Sequence, residues 1–252
     1  MDLRDSWEAQ AEHWIKWARA PGHDSFWRHH RDQFARLLPP PGQRTVDLGC
    51  GEGRLTRHMR DLGHAVVGID ASPTLVAAAR EVDPSIDIRL ADATSIPLDD
   101  ECADLVVAFM SLHDIDAMPA TVKEVARILV PGGRFCLAIV HPINSSGRFE
   151  ASTADARFVI PGDYLRPFRY SDTVERDGLS MTFHSEHRPI EAYFLALEGA
   201  VCWSKRCASR AFPINPWFRQ RNVAGKGCRY SCTCALAGHR PAQQIGVEFI
   251  PL

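Results

Sequence analysis

Val46-Asp47-Leu48-Gly49-Cys50-Gly51-Glu52-Gly53 is the stretch on which the fold turns: a short apolar strand, an acid near its end, then three glycines spaced two apart before a helical segment. A strand that opens into a helix through glycines brings bare backbone close to a ligand, because only glycine permits that approach and the positive φ it often needs. Two cofactor classes share such a loop. In a nicotinamide dinucleotide fold the third fingerprint glycine would fall at residue 54, which is Arg54, and an acid at Asp47 would be poorly placed beside a pyrophosphate.

Downstream, Val67-Gly68-Ile69-Asp70 puts a carboxylate at the C-terminal edge of a second strand, where it can accept both hydroxyls of a ribose. A third strand ends in Leu90-Ala91-Asp92-Ala93. There Asp92 can accept from an adenine amino group and the Ala93 N–H can donate to a ring nitrogen. Any one of these acids can equally be a solvated or helix-capping Asp. All three in this order suit a ligand with an amine, a ribose and an adenine but no phosphates, which describes S-adenosylmethionine.

The surrounding pattern alternates between strand and helix: strand 44–48, helix 53–62, strand 65–70, helix 73–81, strand 86–90, strand 103–109, helix 116–129 and strand 134–140. That βαβαβ rhythm predicts a mostly parallel sheet with helices on both faces. Residues 142–178 show no sustained period and read as an ordered surface insertion after strand five. A strand at 179–187 and a helix at 189–198 follow. Upstream, Trp7, Ala11, Trp14, Ile15 and Ala18 share one helical face, and Phe26, Trp27, His30, Phe34 and Leu37 another, with Pro21-Gly22 between them.

Asp47–Gly53, Asp70, Asp92–Pro97, Asp104–Val107 and Leu129-Val130-Pro131-Gly132-Gly133 resemble the successive motifs of class I S-adenosylmethionine-dependent methyltransferases. The similarity is to the small-molecule branch that includes the ubiquinone and menaquinone biosynthesis enzymes, firmly over residues 41–141 and loosely over 179–198. The resemblance implies an α/β, Rossmann-like, seven-stranded sheet. It implies that Asp47, Gly49, Gly51 and Gly53 hold the methionine part, Asp70 with Ala71 the ribose, and Asp92 with Ala93 the adenine, with Met110 near the sulfonium. In related enzymes N-terminal helices form a lid over the cofactor; residues 1–40 would do so here, with Trp14 as the contact, over a core at 41–200.

Methyl transfer from a sulfonium is an in-line displacement with an activated leaving group, so the protein mainly aligns the acceptor and excludes water. A base is optional. For a phenol or alcohol a histidine can serve, and His113 and His141 both follow strands at the expected edge. Each can instead cap a helix or bond backbone. His184 and His187, on the strand at 179–187, either line the acceptor pocket or face solvent, with at least one outward, since i and i+3 point opposite ways. Tyr164 and Tyr170 are candidates for contacting an aromatic acceptor. The expected reaction is O- or C-methylation of a small hydrophobic or aromatic metabolite. The alternatives are an S-adenosylmethionine-binding cyclase or regulator, and an RNA or protein methyltransferase. Against the last, Phe109-Met110-Ser111-Leu112 lacks the Asn-Pro-Pro-Tyr type of motif that positions an amide or exocyclic amine.

With 252 residues, 45% hydrophobic and 24% charged, the chain suits one globular α/β domain. Neither an apolar leader after Met1 nor an apolar run of membrane-spanning length is present, so a cytoplasmic protein without a membrane partner is expected. The net charge of −2 hides an asymmetry: residues 199–252 hold eight Lys/Arg, the single acid Glu248 and five of the eight cysteines. In that tail only 246–250 reads as a strand, so the family's terminal strands look atypical or missing. A frame-shifted ending, a basic arm for nucleic acid and a metal site at Cys228, Cys232, Cys234 and His239 are the competing readings. The first is preferred, with no metal and no nucleic-acid partner expected.

Overall fold

The computed structural model describes residues 2–24, 26–153 and 155–200, and in the tail the strands at 207–209, 231–237 and 247–249. Strand β1 (Thr45–Leu48) is buried at every position, as a strand covered on both faces must be. Strand β2 (Val66–Asp70) runs parallel on one side, with Gly68 opposite Asp47, and β4 (Ala103–Phe109) parallel on the other, with Val107 opposite Asp47. Beyond β2 lies β3 (Asp87–Leu90), and beyond β4 lies β5 (Leu129–Val140), completing five parallel strands. The chain winds outward from β1 to β3 and then crosses back to β4, so a crevice opens where the C-terminal ends of β1 and β4 diverge. The mostly parallel, Rossmann-like sheet expected from the alternation is the one observed.

Side-chain parity on β4 shows how the two faces are filled. Val106 and Ala108 join a core with Val122, Val125 and Ile128 of α5 (Met118–Ile128) and Leu197 of α7 (Ile190–Gly199). Leu105 and Val107 turn the other way, onto Phe34 and onto Leu55 and Met59 of α3 (Arg54–Asp61). Helix α4 (Pro73–Val82) starts where sequence chemistry dictates: the Ser72 hydroxyl accepts the Leu75 N–H at 3.1 Å and Pro73 occupies the first turn. At the N-terminus, Asp2 accepts from the Asp5 N–H at 2.7 Å and caps α1 (Leu3–Arg19).

Three expectations need correction. The second N-terminal helix is a π-helical turn at Phe26–His30 followed by a short α2 (Arg31–Ala35), whose Phe34 carries the core contact. The insertion contains α6 (Pro142–Ser146), the small pair β6 (Arg148–Phe149) and β7 (Phe158–Val159), and a long strand, β8 (Phe168–Arg176). Strand β8 pairs antiparallel with β9 (Leu179–His187). Its half-buried positions, Tyr170, Asp172, Val174 and Arg176, alternate with exposed ones; three of the four are polar or amphipathic, so the period of two is invisible on a hydrophobicity scale.

The tail, finally, holds a strand where none was expected. Ser231–Ala237 pairs antiparallel with β5 from Ser231 opposite Val140 to Ala237 opposite Arg134. The sheet thus has six strands among the described residues, where seven were expected. In sequence, Cys232, Cys234 and Leu236 do alternate with Ser231, Thr233 and Ala235, but cysteines suggest chemistry before they suggest a strand. Val247–Phe249, inside the expected 246–250 strand, pairs parallel with Cys207–Ser209. Cys228 and His239 lie outside the described residues. No helix among the described residues is long and apolar enough to cross a membrane.

Candidate active site

A cavity of about 1500 Å³ occupies the crevice at the C-terminal edge of β1, β2 and β4. Helix α1 and the β8–β9 hairpin supply its other walls. Of the predicted site residues, Asp47, Gly49, Gly51, Asp70, Ala71, Asp92, Ala93, Met110, Trp14 and His113 line it. Gly53 and His141 are not among its lining residues. Gly53 ends the loop from behind, as the left-handed N-cap of α3 packed on Ala79.

The loop needs glycine for two physical reasons. Gly49 has φ +72°, and a Cβ there would collide with the Ser111 side chain; Gly51 has φ +57° and stands against the Trp14 indole. Ser111 Oγ donates to the Leu48 carbonyl at 2.7 Å and Met110 N–H to Ala138 O at 2.8 Å, so the β4 end is tied to its neighbours. Met110 itself is a non-glycine residue at φ +55°, a costly conformation that persists only where the surroundings enforce it.

The three acids differ in what holds them. Asp70 accepts from the Gly51 N–H at 2.7 Å and the Ser72 N–H at 2.9 Å. Burial raises its carboxyl above the usual range and these bonds oppose that rise. Asp47 accepts from Thr56 Oγ1 at 2.6 Å, and burial pushes its carboxyl up to about 7. A cation in the cavity would favour the ionised form of both. Asp92 is more open; bonds from the Thr94 hydroxyl and N–H hold it below the ordinary value. Acidic strand edges and a loop stripped of Cβ atoms fit S-adenosylmethionine better than a pyrophosphate, which would meet Asp47 and Asp70 beside the loop.

Helix α1 is fastened across this loop by residues that the sequence pattern did not single out. Arg54, read above only as a missing glycine, donates to Ala18 O at 3.0 Å, pairs with Asp24, and lies 5.7 Å from the Trp14 ring centre. Glu52, only 3% exposed, meets Arg57 at 3.0 Å and Arg19 at 3.5 Å. Glu8 of α1 accepts from the hydroxyls of Ser72 and Thr74 at the start of α4. On the hairpin side, Trp7 Nε1 donates to His184 O at 3.0 Å, and Phe183 lies edge-on to Trp7, Trp14 and Trp17 with ring centres 6.1–6.4 Å away.

The histidine and tyrosine candidates separate clearly. His113 lies on the 3₁₀ turn Leu112–Asp114 and is 6% exposed, and its Nδ1 has no hydrogen-bond partner. Burial, with the Arg188 cation nearby, pushes it down to about 3, so it is neutral and a weak base. His141 Nδ1 accepts the Ile143 N–H at 3.1 Å and caps α6. His187 is buried between Ser145 Oγ (2.7 Å) and Tyr164 O (2.8 Å), and His184 bonds Ser171 at 2.8 Å; neither lines the cavity. Tyr164 uses its hydroxyl to accept the Ile190 N–H at 3.1 Å, whereas Tyr170 lines the cavity.

Comparison with known proteins agrees with this geometry. Residues 46–137 match the family model described as a methyltransferase domain. The chain is 32% identical over 125 residues to a malonyl-[acyl-carrier protein] O-methyltransferase of Pectobacterium atrosepticum, covering 48% of this chain and 49% of that one. It is 32% identical over 117 residues to a demethylmenaquinone methyltransferase of Beutenbergia cavernae, covering 46% and 48%. The chain thus spans about half the length of these curated relatives. An S-adenosylmethionine-dependent methyltransferase from Mesorhizobium loti shares the fold, with a TM-score of 0.63, 22% identity, and coverage of 82% of this chain and 96% of that one. Residues 46–137, which carry the loop and strands of this site, thus form a methyltransferase domain, with the fold of the class I S-adenosylmethionine-dependent methyltransferases.

Proposed function

We propose that the protein transfers the methyl group of S-adenosylmethionine to an oxygen or carbon of a small hydrophobic or aromatic metabolite. The observation that carries this reading is that one cavity is lined both by the glycine loop with Asp70 and Asp92 and by Trp7, Trp17, Tyr170 and Phe183. When bound, the cofactor supplies a methyl group on an activated sulfonium leaving group. The protein's own residues hold, orient and dry. Gly49 and Gly51 admit the methionine part against backbone, with Asp47 buried beneath as a compensating acid. Asp70, oriented by two backbone N–H groups, accepts the ribose hydroxyls, and Asp92 with the Ala93 N–H reads the adenine edge. Residues 1–40 act as a lid over the core at 41–200: Arg54, Glu52 and Glu8 fasten α1, and the Trp14–Phe183 contact excludes water from the reacting atoms.

A small-molecule acceptor is favoured over nucleic acid because the ionisable lining is dominated by carboxylates, which repel a phosphate backbone. The pairing of Ser231–Ala237 with β5 supports counting residues 201–252 with the same domain. Calorimetry with S-adenosylmethionine and, separately, NAD tests the cofactor assignment: binding of the first alone is expected. Turnover of methyl-labelled cofactor against a panel of phenols, hydroquinones and alcohols tests the reaction. Cofactor binding without transfer to any acceptor would leave a binding protein instead.

A further inference from the structure

The acceptor end of the cavity contains a carboxyl group that the cofactor does not need. Asp114 ends the 3₁₀ turn that follows β4 and lines the cavity. Its side chain is 11% exposed and accepts the Ser185 hydroxyl at 2.6 Å. Ser185 comes from β9, two residues after Phe183, and both line the cavity. His113 Nε2 stands 3.6 Å from Asp114 Oδ1, too far for a hydrogen bond, while His113 Nδ1, buried in the same wall, has no partner. The nearby cation, Arg188, is engaged elsewhere: its guanidinium donates to the carbonyls of Ile115 and Asp116 and pairs with Glu186. Buried Tyr193 of α7 interacts with Arg188, Asp114 and Tyr170. Around them, eleven acids and four arginines line the whole cavity among the described residues.

A wall with these groups offers lone pairs and negative charge. It suits a group that brings a proton and penalises one that brings a second negative charge. Resting on the methyl-transfer reading, we propose that Asp114, positioned by Ser185, is the catalytic residue that takes the proton of an O–H acceptor, and that the site favours phenols, alcohols and, as ligands, ammonium groups over carboxylates. In the step, the acceptor oxygen forms a bond to the methyl carbon as the carbon–sulfur bond breaks and leaves its electron pair on sulfur. The sulfonium charge in the same cavity favours the ionised form of Asp114, and the acceptor proton passes to its carboxylate oxygen. The sulfonium charge and the carboxylate charge disappear together, which suits a buried site. Burial lifts Asp114 to about 8, against the Ser185 bond and Arg188, which lower it; that is a better match to a base working near neutrality than His113 at about 3.

The test is calorimetric and independent of turnover. Full-length protein saturated with S-adenosylhomocysteine is titrated with phenol, benzylamine and benzoate. Phenol and benzylamine are expected to bind at least about tenfold more tightly than benzoate. Benzylamine should release close to one proton at pH 7, read from the dependence of heat on buffer ionisation, because a protonated Asp114 must ionise to pair with the ammonium. Asp114→Asn should abolish the proton release and level the three affinities. Ser185→Ala should weaken benzylamine while leaving S-adenosylhomocysteine binding intact. Benzoate binding as tightly as phenol, no binding of phenol and benzylamine, or unchanged proton release in Asp114→Asn would each overturn the proposal. Failure to bind S-adenosylmethionine or S-adenosylhomocysteine would instead remove the reading beneath it.

Discussion

The part of the cavity proposed to hold the cofactor and the part proposed to hold the acceptor are built in different ways. The first is formed by the ends of β1, β2 and β3 and is largely a matter of backbone: the glycine loop, the strand termini, and carboxylates held by backbone N–H groups, Asp70 by Gly51 and Ser72 and Asp92 by Thr94. The second joins residues far apart in the chain through side chains, the Trp7 indole donating to the His184 carbonyl and the Ser185 hydroxyl to the Asp114 carboxyl. A backbone site tolerates little variation because its geometry is its chemistry. A side-chain site can be re-specified by changing a few residues on a standing scaffold, so one fold can serve many acceptors.

Breaking the first half should produce the largest effect. Gly49→Val, at φ +72° and against Ser111, is expected to lower S-adenosylmethionine affinity by more than ~100-fold in calorimetry. Asp70→Asn keeps the shape but trades an acceptor oxygen for a donor, and should cost about 10- to 100-fold in cofactor affinity while leaving circular dichroism unchanged. Arg54→Met cuts the fastening between the halves. A loss of roughly tenfold in cofactor affinity and a lower melting temperature are expected, with protease sensitivity rising within residues 1–24.

The pH dependence sharpens the comparison further. Asp47 and Asp114 are raised to about 7 and about 8 in the folded chain, above the unfolded value of ~3.9, so folding takes up protons between these limits. The stability they contribute is present at low pH and is lost as pH rises through 7 to 8. His113, lowered to about 3, acts in the opposite sense only below ~6.5. The unliganded melting temperature should therefore fall by a few degrees from pH 6.5 to 8.5, and fall less in Asp114→Asn. The smallest effect belongs to Tyr164→Phe, outside both halves. Losing the acceptor for Ile190 N–H should cost about 1 kcal/mol in denaturant unfolding without altering cofactor affinity.

How much of this was legible beforehand follows the same division. Asp47, Gly49, Gly51, Asp70 and Asp92 reach the cavity as expected, because each sits at or just past a strand end, where sequence order fixes position; Gly53, one step further on, caps α3 instead. His113 was found for the same reason, although burial makes it a weak base and shifts attention to Asp114 beside it. His141 met the same criterion and proved to cap α6, a distinction that residue type cannot make. Strand β8 went unread because its inward residues face a cavity and not an apolar core, and Arg54 because its partners Ala18, Asp24 and Trp14 belong to a segment 30 to 40 residues upstream.

The sequence by itself determined the parallel sheet, the crevice and the kind of cofactor, because glycine φ angles, strand-end acids and the alternation of periods are local properties of the chain. Only the tertiary structure decided which side chains wall the cavity beside the glycine loop, which of two adjacent ionisable groups is the stronger base, and how Ser231–Ala237 extends the sheet. Each of those depends on burial and on partners distant in sequence, and desolvation has no local signature.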